Sequence, residues 1–281
     1  MSIKSKNEQD IIRQGGKIMG EILHTLYTKC VPGISTLELD TIAEEMIRKA
    51  GGRPAFKGYR VPSIKTAFPG TICASVNTEL VHGIPRKTSV LSNGDIISID
   101  IGMEWPGKKS KVESRKLKAV RGMFTDTAIT CAVGVIPEKT KELLRVTKQA
   151  LEEGIKAAQP GNSVTSIGRA IESYVKSQGK YNIVEDLVGH GVGYALHEDP
   201  NVPNFYDSGL ESVILKPGMV IAIEPMISVG DTYEVVSKPD GWTIEMADKA
   251  LCAHFEHTVI ITERGNVVAS RRPGEEKEVL W

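Results

Sequence analysis

The chain has 281 residues, 41% of them hydrophobic and 25% charged, which is enough apolar material for one sizeable core or two small ones. Lys plus Arg and Asp plus Glu both count 35, so net charge gives no general attraction to nucleic acid or an anionic membrane, and such contact would need a local patch. The first ten residues alternate in charge and no apolar run approaches the roughly 18 residues that span a bilayer, which argues against a signal peptide and a transmembrane helix. Cys30, Cys73, Cys131 and Cys252 stand far apart with no C-x-x-C pair, the pattern expected of reduced thiols in the cytoplasm.

In chain order, the first expected element is an amphipathic helix from Ile11 to Tyr27. The turn Pro32-Gly33-Ile34-Ser35 then opens a second helix with Leu39, Ile42, Ala43, Met46 and Ile47 on one face. Ser35 and Glu38 make its capping box. From Leu91 to Asp100 a turn glycine, Gly94, leads into a β-rich run that ends on a carboxylate. A second strand, Phe124 to Val133, carries Asp126. The series then recurs. A helix from about Lys139 to Ala158 precedes Pro160-Gly161-Asn162-Ser163, and the next helix shows Ile167, Ala170, Ile171 and Val175. Leu215 to Glu224 matches Leu91 to Asp100 position for position, and a strand Ala253 to Thr262 carries Glu256. Several matches at nearly one spacing indicate an internal duplication, with halves at about 11–135 and 137–265 in a single domain spanning 1–281.

One segment has no counterpart. Between Gly107 and Gly122 stand Lys108, Lys109, Lys111, Arg115, Lys116, Lys118 and Arg121 against a single acid, Glu113. With so little apolar content it is expected to be a mobile, solvated loop. It reads either as a tolerated insertion or as a contact with the phosphate-rich surface of a ribosome.

The carboxylates carry the chemistry. Ile96, Ile97, Ile99 and Ile101 surround Asp100, and Val220, Ile221, Ile223 and Met226 surround Glu224, as in strands buried on both faces. An unpaired carboxylate there costs several kcal/mol. Four acids so placed, Asp100, Asp126, Glu224 and Glu256, call for a shared cation. Of the six histidines, His190 lies in Gly189-His190-Gly191-Val192-Gly193, where glycines permit close approach. His254 should share the strand face of Glu256, with His257 on the other. Two Asp, two Glu and one His suit hard-to-borderline divalent ions such as Mn, Fe, Co or Zn. Five ligands exceed what one catalytic ion with an open position needs, and suit two ions roughly 3.5–4 Å apart. His197-Glu198 does not open H-E-x-x-H, since Asn201 holds the second histidine position, and no G-x-S-x-G elbow or P-loop is present.

These residues sit in motifs that resemble the type I, bacterial-type methionine aminopeptidases. The motifs are Ser75-Val-Asn-Thr-Glu-Leu-Val-His82-Gly-Ile-Pro85, Ser98-Ile-Asp100, Phe124-Thr-Asp126-Thr, Gly189-His190-Gly, His197-Glu-Asp-Pro, Ala222-Ile-Glu224-Pro-Met, Asp240-Gly-Trp242-Thr and Phe255-Glu256-His257-Thr, in family order from about Ile11 to Thr262. The resemblance implies the α/β (α+β) pita-bread fold, two pseudo-symmetric halves with a dinuclear metal site between them, and a monomer. It implies that Asp126 and Glu256 bridge two ions, Asp100 chelates one, and His190 with Glu224 holds the other. Glu224 would accept the proton of the attacking water and pass it to the leaving amine. His82 and His197 would contact the substrate backbone and the oxyanion, and Phe56, Tyr59, Phe68, Cys73, Leu196 and Trp242 would line a methionine pocket. The implied substrate is a peptide or nascent chain with an initial Met and a small second residue.

The chain departs from the family pattern in the 107–122 insertion, in extra residues from Arg60 to Ala67 beside the pocket, and in His254, where a glutamine is expected. Two rival readings remain: a proline-directed aminopeptidase or dipeptidase of the same fold, and a non-catalytic binding protein of that fold.

Overall fold

A computed structural model describes residues 1–107 and 122–275. The basic segment Lys108 to Arg121, with its expected ribosome contact, lies outside the described residues. In chain order the elements are α1 (Lys6–Lys29), α2 (Thr36–Lys49), β1 (Arg53–Pro54), β2 (Ile72–Val76), β3 (Glu79–Val81), β4 (Ile96–Trp105), β5 (Met123–Ala132), α3 (Glu138–Ala157) and α4 (Thr165–Ser177). There follow β6 (Asn182–Ile183), β7 (Gly189–Gly191), β8 (Glu198–Val202), β9 (Val220–Ile223), β10 (Met226–Ser228), β11 (Val235–Ser237), β12 (Ile244–Met246), β13 (Cys252–His254), β14 (Glu256–Thr262) and β15 (Gly265–Val268).

Local chemistry sets the helix starts. α1 begins five residues before the expected Ile11 because Ser5 and Glu8 form a capping box, as Ser35 and Glu38 do for α2. α4 has no side-chain cap; the Ser163 hydroxyl donates instead to the Leu210 carbonyl at 2.9 Å. The Pro-Gly turns are built twice in one way. Gly33 and Gly161 sit at φ 98° and 89°, open to glycine and strained for other residues. Their N–H groups donate to Leu91 O at 2.8 Å and Leu215 O at 2.9 Å, and isolated bridges join Ser35 to Val90 and Ser163 to Ile214.

The main sheet has nine antiparallel strands in the order β1-β4-β5-β14-β9-β7-β8, with β2 added to β4 and β15 to β14. Ile97, Ile99 and Ile101 of β4 join Leu23 of α1, Ile47 of α2, Leu144 of α3 and Ile171 of α4 in one buried cluster, so all four helices contribute to one core. Period-2 alternation turns Asp100 to the opposite face. The sequence leads one to expect one strand from Ala253 to Thr262, but it breaks at Phe255. β13 pairs with β10 in a separate three-stranded sheet, whereas β14 pairs with β5 and β9 in the main one. Among the described residues no helix is long and apolar enough to cross a membrane. All four cysteines are free and buried.

The strand that carries Glu256 is also anchored from the carboxyl-terminal side. His257 and Glu275 are buried and meet at 2.8 Å. Glu275 also lies 3.2 Å from the guanidinium of buried Arg272 and accepts its backbone N–H at 2.8 Å. Burial would raise the Glu275 carboxyl, but His257 and Arg272 outweigh it and hold its pKa well below the usual carboxylate range. A depressed carboxylate stabilises the fold above its unfolded pKa of about 4.3, and that contribution fades as acid takes the pH down through this value toward the folded one. Glu275→Gln should therefore cost on the order of 3 kcal/mol at neutral pH, by urea denaturation, with the gap to the parent narrowing below about pH 4.

Candidate metal and substrate site

The strand register brings the acids together. Across β4 and β5, Asp100 pairs with Ala128 and Gly102 with Asp126; across β14 and β5, Glu256 pairs with the same Ala128. Asp100, Asp126 and Glu256 thus come from three adjacent strands and share one face. Glu224 follows β9 directly, one residue past Ile223, which pairs with His257. His190 sits in β7, where an added Cβ would bring Gly189 to 2.4 Å from Ala222 O and Gly191 to 2.4 Å from Asp199 O. Only glycines allow the three strands to close around His190.

The His190 Nδ1 lies 2.9 Å from the Gly191 carbonyl, so it carries the proton and leaves the Nε2 lone pair free. That Nε2 lies 3.5 Å from Glu224 Oε1 and 4.0 Å from Asp126 Oδ2. Ligand atoms of Asp126, His190 and Glu256 all fall within 4.8 Å of one another. Asp100 Oδ1 and Glu256 Oε1 are buried without a hydrogen-bond partner. Burial and repulsion among the acids raise the pKa values of Asp100, Asp126 and Glu256. At Glu224 burial acts in the same direction, but His254, His190 and His197 outweigh it and lower the value. Crowded carboxylates with unpartnered oxygens on Asp100 and Glu256, around a free imidazole nitrogen, fit a divalent cation: the oxygens lack the positive charge such an ion brings.

Above the acids lies a cavity of ≈ 260 Å³ lined by Phe56, Tyr59, Phe68, Cys73, Leu196 and Trp242 together with the acids and histidines. That is below the roughly 300–1,000 Å³ of sites that enclose drug-sized ligands, so it has room for about one residue. β2 places Cys73 directly opposite Asp100, which sets the pocket wall one strand from the acids. The extra residues 60–67 do not displace the wall. Phe68 N–H donates to Tyr59 O at 2.9 Å, Gly58 N–H to Phe68 O at 2.8 Å, and the Trp242 indole to Thr66 O at 3.2 Å, so the insertion closes on itself behind the pocket. Val61, from that insertion, and Val81, Leu187, Val188 and Met226 also line the cavity. None of these five was singled out as a pocket residue from sequence, where each reads as an ordinary core or loop position.

His82 and His197 face the same cavity. His82 has φ 56°, left-handed and strained for a side-chain-bearing residue, and Gly83 behind it lies so close to Ala74 O that a Cβ would approach to 2.5 Å. The His197 ring lies 4.4 Å from the His190 ring, and its Nδ1 is 2.8 Å from the Tyr59 hydroxyl. His254 reaches the cavity too, with Nε2 3.5 Å from Glu224 Oε2 and neither ring nitrogen hydrogen-bonded. It does not share one strand face with Glu256, as the sequence led one to expect, because the break at Phe255 puts the two in different sheets; β10, pairing Met226 with His254, sets it beside Glu224 instead.

A curled antiparallel sheet that gathers acids and an imidazole under a one-residue apolar cavity defines a metallopeptidase of the pita-bread type. The chain belongs to metallopeptidase family M24, whose model matches residues 10–113 and 116–263. It is 44% identical over 268 residues to methionine aminopeptidase 1 of Bacillus subtilis (strain 168), covering 95% of this chain and 98% of that protein. The crystal structure of methionine aminopeptidase from Thermotoga maritima superposes with a TM-score of 0.85 at 38% identity, covering 97% of this chain and 100% of that one. A prolidase from Pyrococcus horikoshii, at 21% identity and a TM-score of 0.71, shares the fold alone, and this chain covers 64% of it.

Burial, with the neighbouring His254 ring, pulls His82 down to about 4. His197 keeps part of its ring exposed, yet desolvation of the remainder, with His190 beside it, pulls it to about 4 as well. Both imidazoles are therefore neutral from about pH 5 upward. Side-chain nitrogen NMR should show no titration of either ring near the ordinary histidine value of about 6.5; a midpoint there would contradict this environment.

Proposed function

We infer that the chain is a metal-dependent methionine aminopeptidase that removes an initial methionine when the second residue is small. One observation carries this reading: mutually repelling buried carboxylates, with one oxygen each of Asp100 and Glu256 left without a hydrogen-bond partner, form the floor of a cavity sized for one residue and walled by aromatic and sulfur side chains. Asp100, Asp126, His190, Glu224 and Glu256 would together hold two divalent cations. The all-oxygen-and-imidazole donor set suits Co, Mn, Fe or Zn. Cations held there supply the charge that acidifies a water and polarises a carbonyl.

The chain's own residues do the rest. Glu224, the one acid of the cluster whose pKa is lowered and flanked by His190 and His254, takes the proton of the attacking water and returns it to the leaving amine. Neutral His197, oriented by the Tyr59 hydroxyl, and neutral His82, fixed by its strained backbone, donate hydrogen bonds to the developing oxyanion and the substrate backbone. The methionine thioether packs against Phe56, Phe68 and Trp242. Cys73 stays a neutral thiol, because burial and the nearby Asp100 and Asp126 raise its pKa far above the ordinary value. The chain acts as a monomer, as its resemblance to the type I enzymes implies. The cations of Lys108 to Arg121 add a possible contact with ribosomal phosphate.

A methionyl peptide, a leucyl peptide and an X-Pro peptide compared with and without metal test the reading. Exhaustive chelation should abolish methionyl hydrolysis, with Mn, Co or Fe restoring it. Equal kcat/KM for leucyl and methionyl peptides would sink the specificity, and preference for X-Pro would favour the proline-directed alternative. Asp126→Ala, which removes one of the proposed metal-holding carboxylates, should lose activity even at saturating metal. His254→Gln should shift metal affinity by roughly 10–100-fold, read by calorimetry; unchanged affinity would make His254 a packing neighbour only.

A further inference from the structure

A buried lysine outside the cavity lining bears on the catalytic loop. Lys4 is 2% exposed although it lies four residues from the start of the chain. Its N–H donates to Gly218 O at 2.8 Å, and its carbonyl accepts from the Gln9 side chain at 2.8 Å, so the segment is fixed at its backbone. The ammonium lies 5.1 Å above the Tyr194 ring and 2.9 Å from Glu198 Oε2, which also accepts from the Ser2 hydroxyl. The other oxygen, Glu198 Oε1, accepts the backbone N–H groups of Tyr194 and, at 3.0 Å, Ala195. One carboxylate therefore closes the connection between β7 and β8. That connection carries Leu196 of the pocket wall and His197, whose ring packs on His190. Gly193 admits Lys4 here, since a Cβ would stand 2.4 Å from Lys4 Cε.

We propose that Lys4, acting through Glu198, is a positioning residue for His197 and Leu196, so that residues 2–4 form part of the catalytic apparatus. This rests on the proposed role of His197. The Glu198 side chain is only 12% exposed and stays inward because Lys4 neutralises it. Without that charge the carboxylate turns toward water and abandons the Tyr194 and Ala195 amides. The 193–197 loop then loses its internal acceptor, and a displacement of about 1 Å at a reacting group can cost roughly 100-fold in rate.

A double-mutant cycle on the metal-loaded enzyme, with kcat and KM for a methionyl peptide and the urea midpoint of each variant, tests this. Lys4→Met should lower kcat about tenfold or more in the parent and less than about twofold in a His197→Ala background, because coupled residues are not additive. Adding Glu198→Gln to Lys4→Met should restore kcat to within about threefold: the amide keeps an oxygen for the two N–H groups and needs no countercharge. The urea midpoint separates this rescue from a gain in overall stability. Equal fractional losses in both backgrounds, no rescue by Glu198→Gln, or full kcat in Lys4→Met would overturn the proposal. If Lys4→Met does not fold, the cycle of Glu198→Ala, which removes the acceptor of the Tyr194 and Ala195 amides, with His197→Ala reads the same coupling, and additivity there overturns it equally. Undiminished activity of His197→Ala alone would instead remove the proposed role of His197, and this inference with it.

Discussion

Asp100, Asp126 and Glu256 occupy adjacent antiparallel strands on one face, and neighbouring strands are held only about 4.8 Å apart. Three acids at that spacing in a buried place repel one another, and burial further penalises each ionised form. Left alone, the cluster would force its members to hold protons. Much of the surrounding structure reads as a means of keeping it in place. The helices bury the opposite sheet face, glycines let β7 approach with His190, and the His257–Glu275–Arg272 group pins the strand of Glu256.

The duplicated scaffold carries different cargo in its two halves. Gly33 and Gly161 close the same turn with the same hydrogen bond, and Gly94 and Gly218 sit at φ 99° and 90° before the strands that lead to Asp100 and Glu224. Yet the first half contributes Phe56, Tyr59, Phe68 and a single histidine, His82, while the second contributes Trp242 with His190, His197 and His254. Symmetry delivers the acids to a common face, and the unlike side chains around them separate a place to hold a side chain from a place to move protons. The likeness to a prolidase at the level of the fold alone is consistent with this division, since a shared scaffold does not dictate what lines the cavity.

Positions outside the cavity matter because the reacting groups sit on short connections. His197 ends the 193–197 loop, and His82 lies on a strained turn. Neither is held by a long element of its own, so each takes its orientation from neighbours: Tyr59 and the Glu198–Lys4 pair for the first, Gly83 and the close backbone of Ala74 for the second.

The α/β duplication, the four acids and His190 were legible in the sequence because each rests on a local pattern, whereas the cavity-lining set from Phe56 to Trp242 came only from the family resemblance. Period-2 runs, Pro-Gly turns and motif spacing act over a few residues and are encoded there. The tertiary structure decided what depends on residues far apart in the chain. It broke the strand at Phe255, so that His254 reaches Glu224 by way of β10 rather than along one pleat. It folded the 60–67 insertion onto itself, put Val61, Leu187, Val188 and Met226 into the cavity, and paired Glu275 with His257. It also brought Lys4 against Glu198, across most of the chain. A lone Lys or Glu in a polar stretch reads as solvated, since nothing local marks its partner; only packing removes the water and makes the pairing necessary.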